Sequence, residues 1–126
     1  MVKITHNAEL LGIKFNISKK GFRSFTEEKL SLQISTVLFP GGTTIDPHYH
    51  KPIRRITGNL GEAIVVIDGK IRISIFGKNK KLVRKIIIKS GEGFVLYAGG
   101  HKLEFLETTR AFELKNGPFI FDRVDF

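Results

Sequence analysis

Four side chains in this sequence have the types and spacing to hold or activate a small molecule: His48, His50, Glu62 and His101. The chain contains only four histidines, and three of them fall in this set. Residues i and i+2 of a strand point to the same face, so on a strand His48 and His50 would present both imidazoles inward together. Imidazoles with one carboxylate are donors that a divalent transition ion accepts while leaving positions open for water or substrate. One such ion is expected here, and iron, manganese, nickel, cobalt and zinc all suit the donor set. The four donors are expected to reach one point at about 2.0–2.2 Å.

Glu62 is selected by a pattern of its own. The run VVIDGKIRI holds Asp68-Gly69 between apolar stretches, the short-range signature of a two-residue hairpin turn. Pairing across that turn puts Ile67 opposite Lys70, Val66 opposite Ile71, Ile64 opposite Ile73 and Glu62 opposite Ile75. Glu62 then emerges on a face otherwise made of Ile64, Val66, Ile71, Ile73 and Ile75. An unpaired carboxylate there costs several kcal/mol or takes up a proton, and a nearby cation removes the problem. In HKLEFL, His101 shares a face with Leu103 and Phe105, so it too is expected to look inward.

The elements that must position these residues read as strands. LSLQISTVLF alternates loosely and is stopped by Pro40-Gly41-Gly42. KLVRKIIIKSG, EGFVLYAGG, HKLEFLE and TRAFELKNG give further short strands separated by glycine-containing turns, which predicts an antiparallel sandwich or barrel. Residues 1–29 say least. SFTEEKL carries a Ser-x-x-Glu pattern that caps helices, but no helical periodicity follows and a turn fits as well. The opposite face of the Glu62 strand is also apolar (Ala63, Val65, Ile67), as is the run Ile86–Ile88. Cover by the N-terminal segment or by a second subunit is expected, hence a homodimer.

Spacing within this frame resembles the cupin superfamily. Its first motif runs Gly, His-x-His, Glu, Gly, and Gly42, His48, His50, Glu62 and Gly69 stand in that order, with five residues between Gly42 and His48 and six between Glu62 and Gly69. The eleven residues between His50 and Glu62 make a longer spacer than the family's, so this loop carries an insertion. The second motif begins at Gly91, with Tyr97 where proline is usual, then Ala98 and Gly99. His101 follows Gly99 one residue early, and Phe105 stands in the asparagine position. The resemblance covers about residues 40–105. It implies an all-β fold, the antiparallel double-stranded β-helix or jelly-roll barrel, with His48, His50, Glu62 and His101 as metal ligands.

The ending Glu113-Leu-Lys-Asn-Gly117-Pro118-Phe119, followed by Asp122, is similar to that of small WbuC-type cupins. His48-Tyr49-His50-Lys51 is also similar to nucleotide-sugar ketoisomerase cupins, which work without a bound metal. What these resemblances imply is a small-molecule enzyme of isomerase, epimerase, lyase or dioxygenase type acting on a sugar or small carboxylate. A non-catalytic ligand sensor and a metal-independent isomerase are the alternatives. Tyr97 is the one catalytic acid or base candidate inside the motifs. Arg54 and Arg55, in the insertion between ligands, are candidates for holding a substrate carboxylate or phosphate.

Composition bounds the rest. A chain of 126 residues, 41% apolar and 26% charged, fits one globular domain with its own core. No apolar run approaches a membrane span, and the N-terminus lacks a signal peptide's apolar stretch. Without cysteine there are no disulfides or thiolate ligands, and the cytoplasm is the expected compartment. The net charge of +9 is dispersed, and its densest cluster, KNKKLVRK, has no interleaved aromatics. That argues for a solvated basic face or attraction of anionic small molecules rather than nucleic-acid binding.

Overall fold

A computed structural model describes residues 1–126 as an all-β, wholly antiparallel structure of ten strands. The strands are β1 (Val2–His6), β2 (Glu9–Asn16), β3 (Gly21–Ser24), β4 (Ser35–Leu38), β5 (Glu62–Asp68), β6 (Lys70–Phe76), β7 (Leu82–Lys89), β8 (Glu92–Leu96), β9 (Gly100–Phe105) and β10 (Arg110–Lys115). Five form one sheet in the order β1-β2-β8-β5-β10, three form another in the order β7-β6-β9, and β3 pairs with β4. There is no helix long and apolar enough to cross a membrane.

The two larger sheets enclose the main core. Ile4, Leu11, Val66 and Phe94 come from the five-stranded sheet and pack against Ile71, Ile73, Ile75, Ile86 and Ile88 from the three-stranded one. Ile86 and Ile88 are buried while Ile87 between them is 44% exposed, the alternation that a half-buried strand imposes. The apolar run at 86–88 is therefore an ordinary strand, with two side chains in the core and one out.

Asp68-Gly69 does not form the expected hairpin. β5 pairs with β8 and β10, while β6 pairs with β7 and β9, so the two residues turn the chain from one sheet to the other. Gly69 has φ 109°, and a Cβ there would lie 2.3 Å from the Thr109 hydroxyl, so the corner needs glycine. Thr109 Oγ1 in turn accepts the Lys70 N–H at 3.1 Å. Glu62 and Ile75 are thus not ladder partners. Their shared inward face survives, because alternation along each strand is local while pairing is decided by how the corner folds.

The opposite face of the five-stranded sheet carries a second core of Ile13, Phe15, Ala63 and Val95. Residues 25–34 cover it, with Phe25, Leu32 and Ile34, like Val65 of β5, packed on these side chains. That segment is held by Thr26, whose hydroxyl accepts the Ile34 N–H at 3.1 Å, and by Gln33, whose amide donates to the Glu27 and Leu30 carbonyls. The Ser-x-x-Glu stretch is a turn here, and the strand expected from Leu30 begins only at Ser35. Cover for Ala63 and Val65 comes from within the chain, whereas Ile67, Phe112 and Leu114 stay exposed.

If alternation along β7 sets the core, Ile88→Ala should lose about 2–5 kcal/mol of stability. Ile87→Ala should stay within about 0.5 kcal/mol. Urea unfolding followed by circular dichroism measures both, and equal losses would contradict the packing described.

Candidate functional site

At one end of the space between the sheets lies a cleft lined by Glu62, Ile64, Phe94 and Leu96 from one side and Ile73, Leu103 and His101 from the other, with Glu113 at its edge. Its free volume is about 20 Å³, enough for one water. Glu62 opens β5 and His101 follows the first residue of β9, so two different sheets contribute one residue each. His101 Nε2 lies 3.7 Å from Glu62 Oε1, within reach but longer than a hydrogen bond.

β10 completes the cluster. It pairs with β5 in a register that sets Lys115 opposite Glu62 and Glu113 opposite Ile64. Cross-strand partners share a face, so Glu113 and Lys115 both stand beside the Glu62 carboxyl. Glu62 and Glu113 are joined by a side-chain hydrogen bond. Lys115 Nζ is 3.2 Å from Glu113 Oε1 and 3.8 Å from Glu62 Oε1.

The proton distribution follows from burial. Loss of water around the Glu62 carboxyl, then its hydrogen bond to Glu113, raises it from 4.5 to about 7. Glu113, accepting that bond and paired with Lys115, is held below its usual range. One proton is therefore shared by two carboxyl groups, residing mainly on Glu62. His101 is pushed down by burial, so its imidazole is neutral near pH 7. Glu62 and His101 are accordingly an acid and a base side by side rather than an ion pair.

The other expected residues lie elsewhere. Every residue from 39 to 60 is exposed and none belongs to a strand. Pro47 and Pro52 flank His48 and His50 and have no N–H to give a ladder, which accounts for the missing strand. The two imidazole rings sit 5.3 Å apart, edge to face, and His48 Nδ1 lies 2.9 Å from the Asp46 carbonyl oxygen. No three His, Asp or Glu side chains are grouped as a metal ion requires, so the residues as placed do not fit the four-ligand centre that the resemblance implies. Arg54 and Arg55 are exposed on the same segment, and Arg55 reaches only the Ile53 carbonyl.

Tyr97 is on the opposite side of the sheet from Glu62, packed in the second core. Its hydroxyl donates to the Leu32 carbonyl at 2.6 Å, and burial pushes it up to about 12. That bond fastens the covering segment to the sheet. Glu113 and Lys115 went unselected in the sequence. Their alternation in AFELK places them on one face, but nothing local says that this strand borders β5.

Because the folded chain holds the Glu62 proton more tightly than the unfolded one, stability falls as pH rises from about 4.5 to 7. The lowered His101 acts in the opposite sense just below its ordinary value, so a comparison with Glu62→Gln isolates the carboxyl. The amide keeps a donor toward Glu113 and carries no titrating proton. Between pH 5 and pH 8 the parent should lose about 1–3 kcal/mol more than Glu62→Gln. Parallel melting profiles for the two proteins would contradict the buried, shared proton.

No family model, no curated protein and no solved structure matches this chain.

Proposed function

We propose that the protein is a cupin-type small-molecule enzyme that moves a proton on a sugar or small carboxylate, in an isomerisation or epimerisation, within the cleft between its two sheets. The observation that supports this is the meeting of Glu62 and His101. They come from separate sheets and from distant parts of the sequence, and stand 3.7 Å apart among apolar side chains. Few arrangements other than a site reward placing a carboxyl and an imidazole together on two apolar faces.

The chemistry follows from the roles already placed. Neutral His101 takes a proton from a hydroxyl-bearing carbon next to a carbonyl. Glu62, holding the proton it shares with Glu113, gives it to the carbonyl oxygen, and an enediol results. Return of the proton held by His101 to the former carbonyl carbon, with Glu62 reprotonated from the hydroxyl on the carbon first deprotonated, leaves the carbonyl on that second carbon and completes the isomerisation. Lys115 supplies positive charge beside the developing oxyanion. The double-stranded β-helix belongs to this proposal as the fold in which two sheets would hold such a cleft. No step is routed through a metal ion, since the residues as placed do not converge on one.

Solvent exchange tests the proposal without knowing the product. The protein is incubated in D₂O with a panel of aldoses, ketoses and small keto and hydroxy acids, and loss of C–H signals is followed by proton NMR. At least one substrate should exchange before and after chelation of divalent ions. His101→Ala and Glu62→Gln should slow it by about 10²-fold or more. Exchange that is untouched by both variants, or absent across the panel, overturns the assignment. Exchange that disappears on chelation and returns with one added divalent ion would instead support the metal-dependent cupin.

A further inference from the structure

The cleft has room for one water and His101 is exposed at its mouth, so a sugar-sized molecule enters between the sheets only if the cleft widens. The segment that follows β10 is placed to control this opening. It starts at Asn116, whose side-chain oxygen accepts the Gly61 N–H at 2.6 Å and whose amide donates to the Asn59 carbonyl and to Thr57 Oγ1. It reaches Phe126, whose ring stands edge-on to Phe76 with centroids 5.3 Å apart. The same ring lies so close over Gly100 that a Cβ there would come within 2.7 Å of it. Gly61 immediately precedes Glu62, and Gly100 immediately precedes His101. The segment therefore runs from the residue before Glu62 to the face of β6 and β9 opposite the one that Ile75 and His101 turn inward, wrapping around the free edge of β9 beside the gap.

We infer that residues 116–126 form a strap across the mouth of this cleft, latched by Phe126 on Phe76 and Gly100, and that release of the latch admits the substrate. The proposal rests on the cleft being the site. Three features fit a strap better than a fixed element. Between the anchors, Phe119, Ile120 and Phe121 are 86%, 67% and 83% exposed, so little packing holds the middle down. Phe126 remains 62% exposed, so only part of the ring is packed and the latch is weak enough to let go. The charges along the strap also bear on the cleft, Asp122 on Glu62 and Arg123 on His101. Asn116, with three hydrogen bonds around Gly61, is the firmer end and the pivot.

Chemical modification of histidines tests this independently of any activity. Diethyl pyrocarbonate is added to the intact protein at fixed pH, and carbethoxylation of each histidine is followed by peptide mass spectrometry. His48 and His50, exposed on the far segment, serve as references within the same chain. In the parent, His101 should react more slowly than both. Phe126→Ala should raise the His101 rate about threefold or more and leave His48 and His50 unchanged, while Phe126→Tyr should restore the parent rate. An unchanged His101 rate in Phe126→Ala, with melting temperature preserved, overturns the strap. If Phe126→Ala melts early and all four histidines speed up together, the ring is a structural prop and the strap is likewise overturned. Failure of the solvent-exchange assay would leave this result intact, so the strap and the enzyme assignment fail separately.

Discussion

A carboxyl on the apolar face of β5 is the constraint that the rest of the site answers. Glu62 continues the line of Ile64 and Val66, which point at the isoleucines of β6. An ionised carboxylate there would give up most of its hydration for little in return. Three neighbours meet that cost. Glu113 accepts a hydrogen bond from the proton that Glu62 keeps, Lys115 balances the charge on Glu113, and His101 closes the far side without adding a charge. A single proton on the pair lets four ionisable side chains occupy the end of an apolar sandwich.

The scaffold holds that cluster from several directions. β5 is flanked by β8 and β10, which fixes Glu62 between Leu96 and Lys115 in the ladder. The covering segment 25–34, fastened through Tyr97 to Leu32, shields the reverse of the same strand. Lateral motion of β5 would disturb both cores together, so the Glu62 side is rigid. The segment beyond β10 is the loosely packed part, held at Asn116 by three hydrogen bonds and at Phe126 by one partly packed ring.

What could be read from the sequence was whatever depends on neighbours a few residues apart. Strand alternation placed Glu62, Ile64, Val66, Ile71, Ile73 and Ile75 on inward faces, and His101 with Leu103, whereas Phe105, read on that same face, is 60% exposed at the strand end. Strand pairing was less legible. Asp68-Gly69 looks like a hairpin turn in sequence, but β5 and β6 pair with different neighbours, and it becomes a corner between sheets with Thr109 packed against it. The β1–β2 hairpin was missed because its turn, Asn7-Ala8, puts alanine rather than glycine at φ 63°. Segment 39–60, with His48 and His50, follows the family-like spacing in sequence, yet its prolines keep it out of any sheet. Glu113 and Lys115 needed the β5–β10 pairing, which no local pattern encodes.

The shared proton is open to direct measurement. With ¹³C-labelled glutamate, the carboxyl resonance of Glu62 can be assigned by its loss in Glu62→Gln and followed from pH 3 to pH 9. The account predicts a midpoint near 7 for Glu62, with Glu113 titrating well below it. A Glu62 midpoint near the ordinary 4.5, unmoved when Glu113 is replaced by glutamine, would mean that the carboxyl is solvated and the acid–base cleft does not exist.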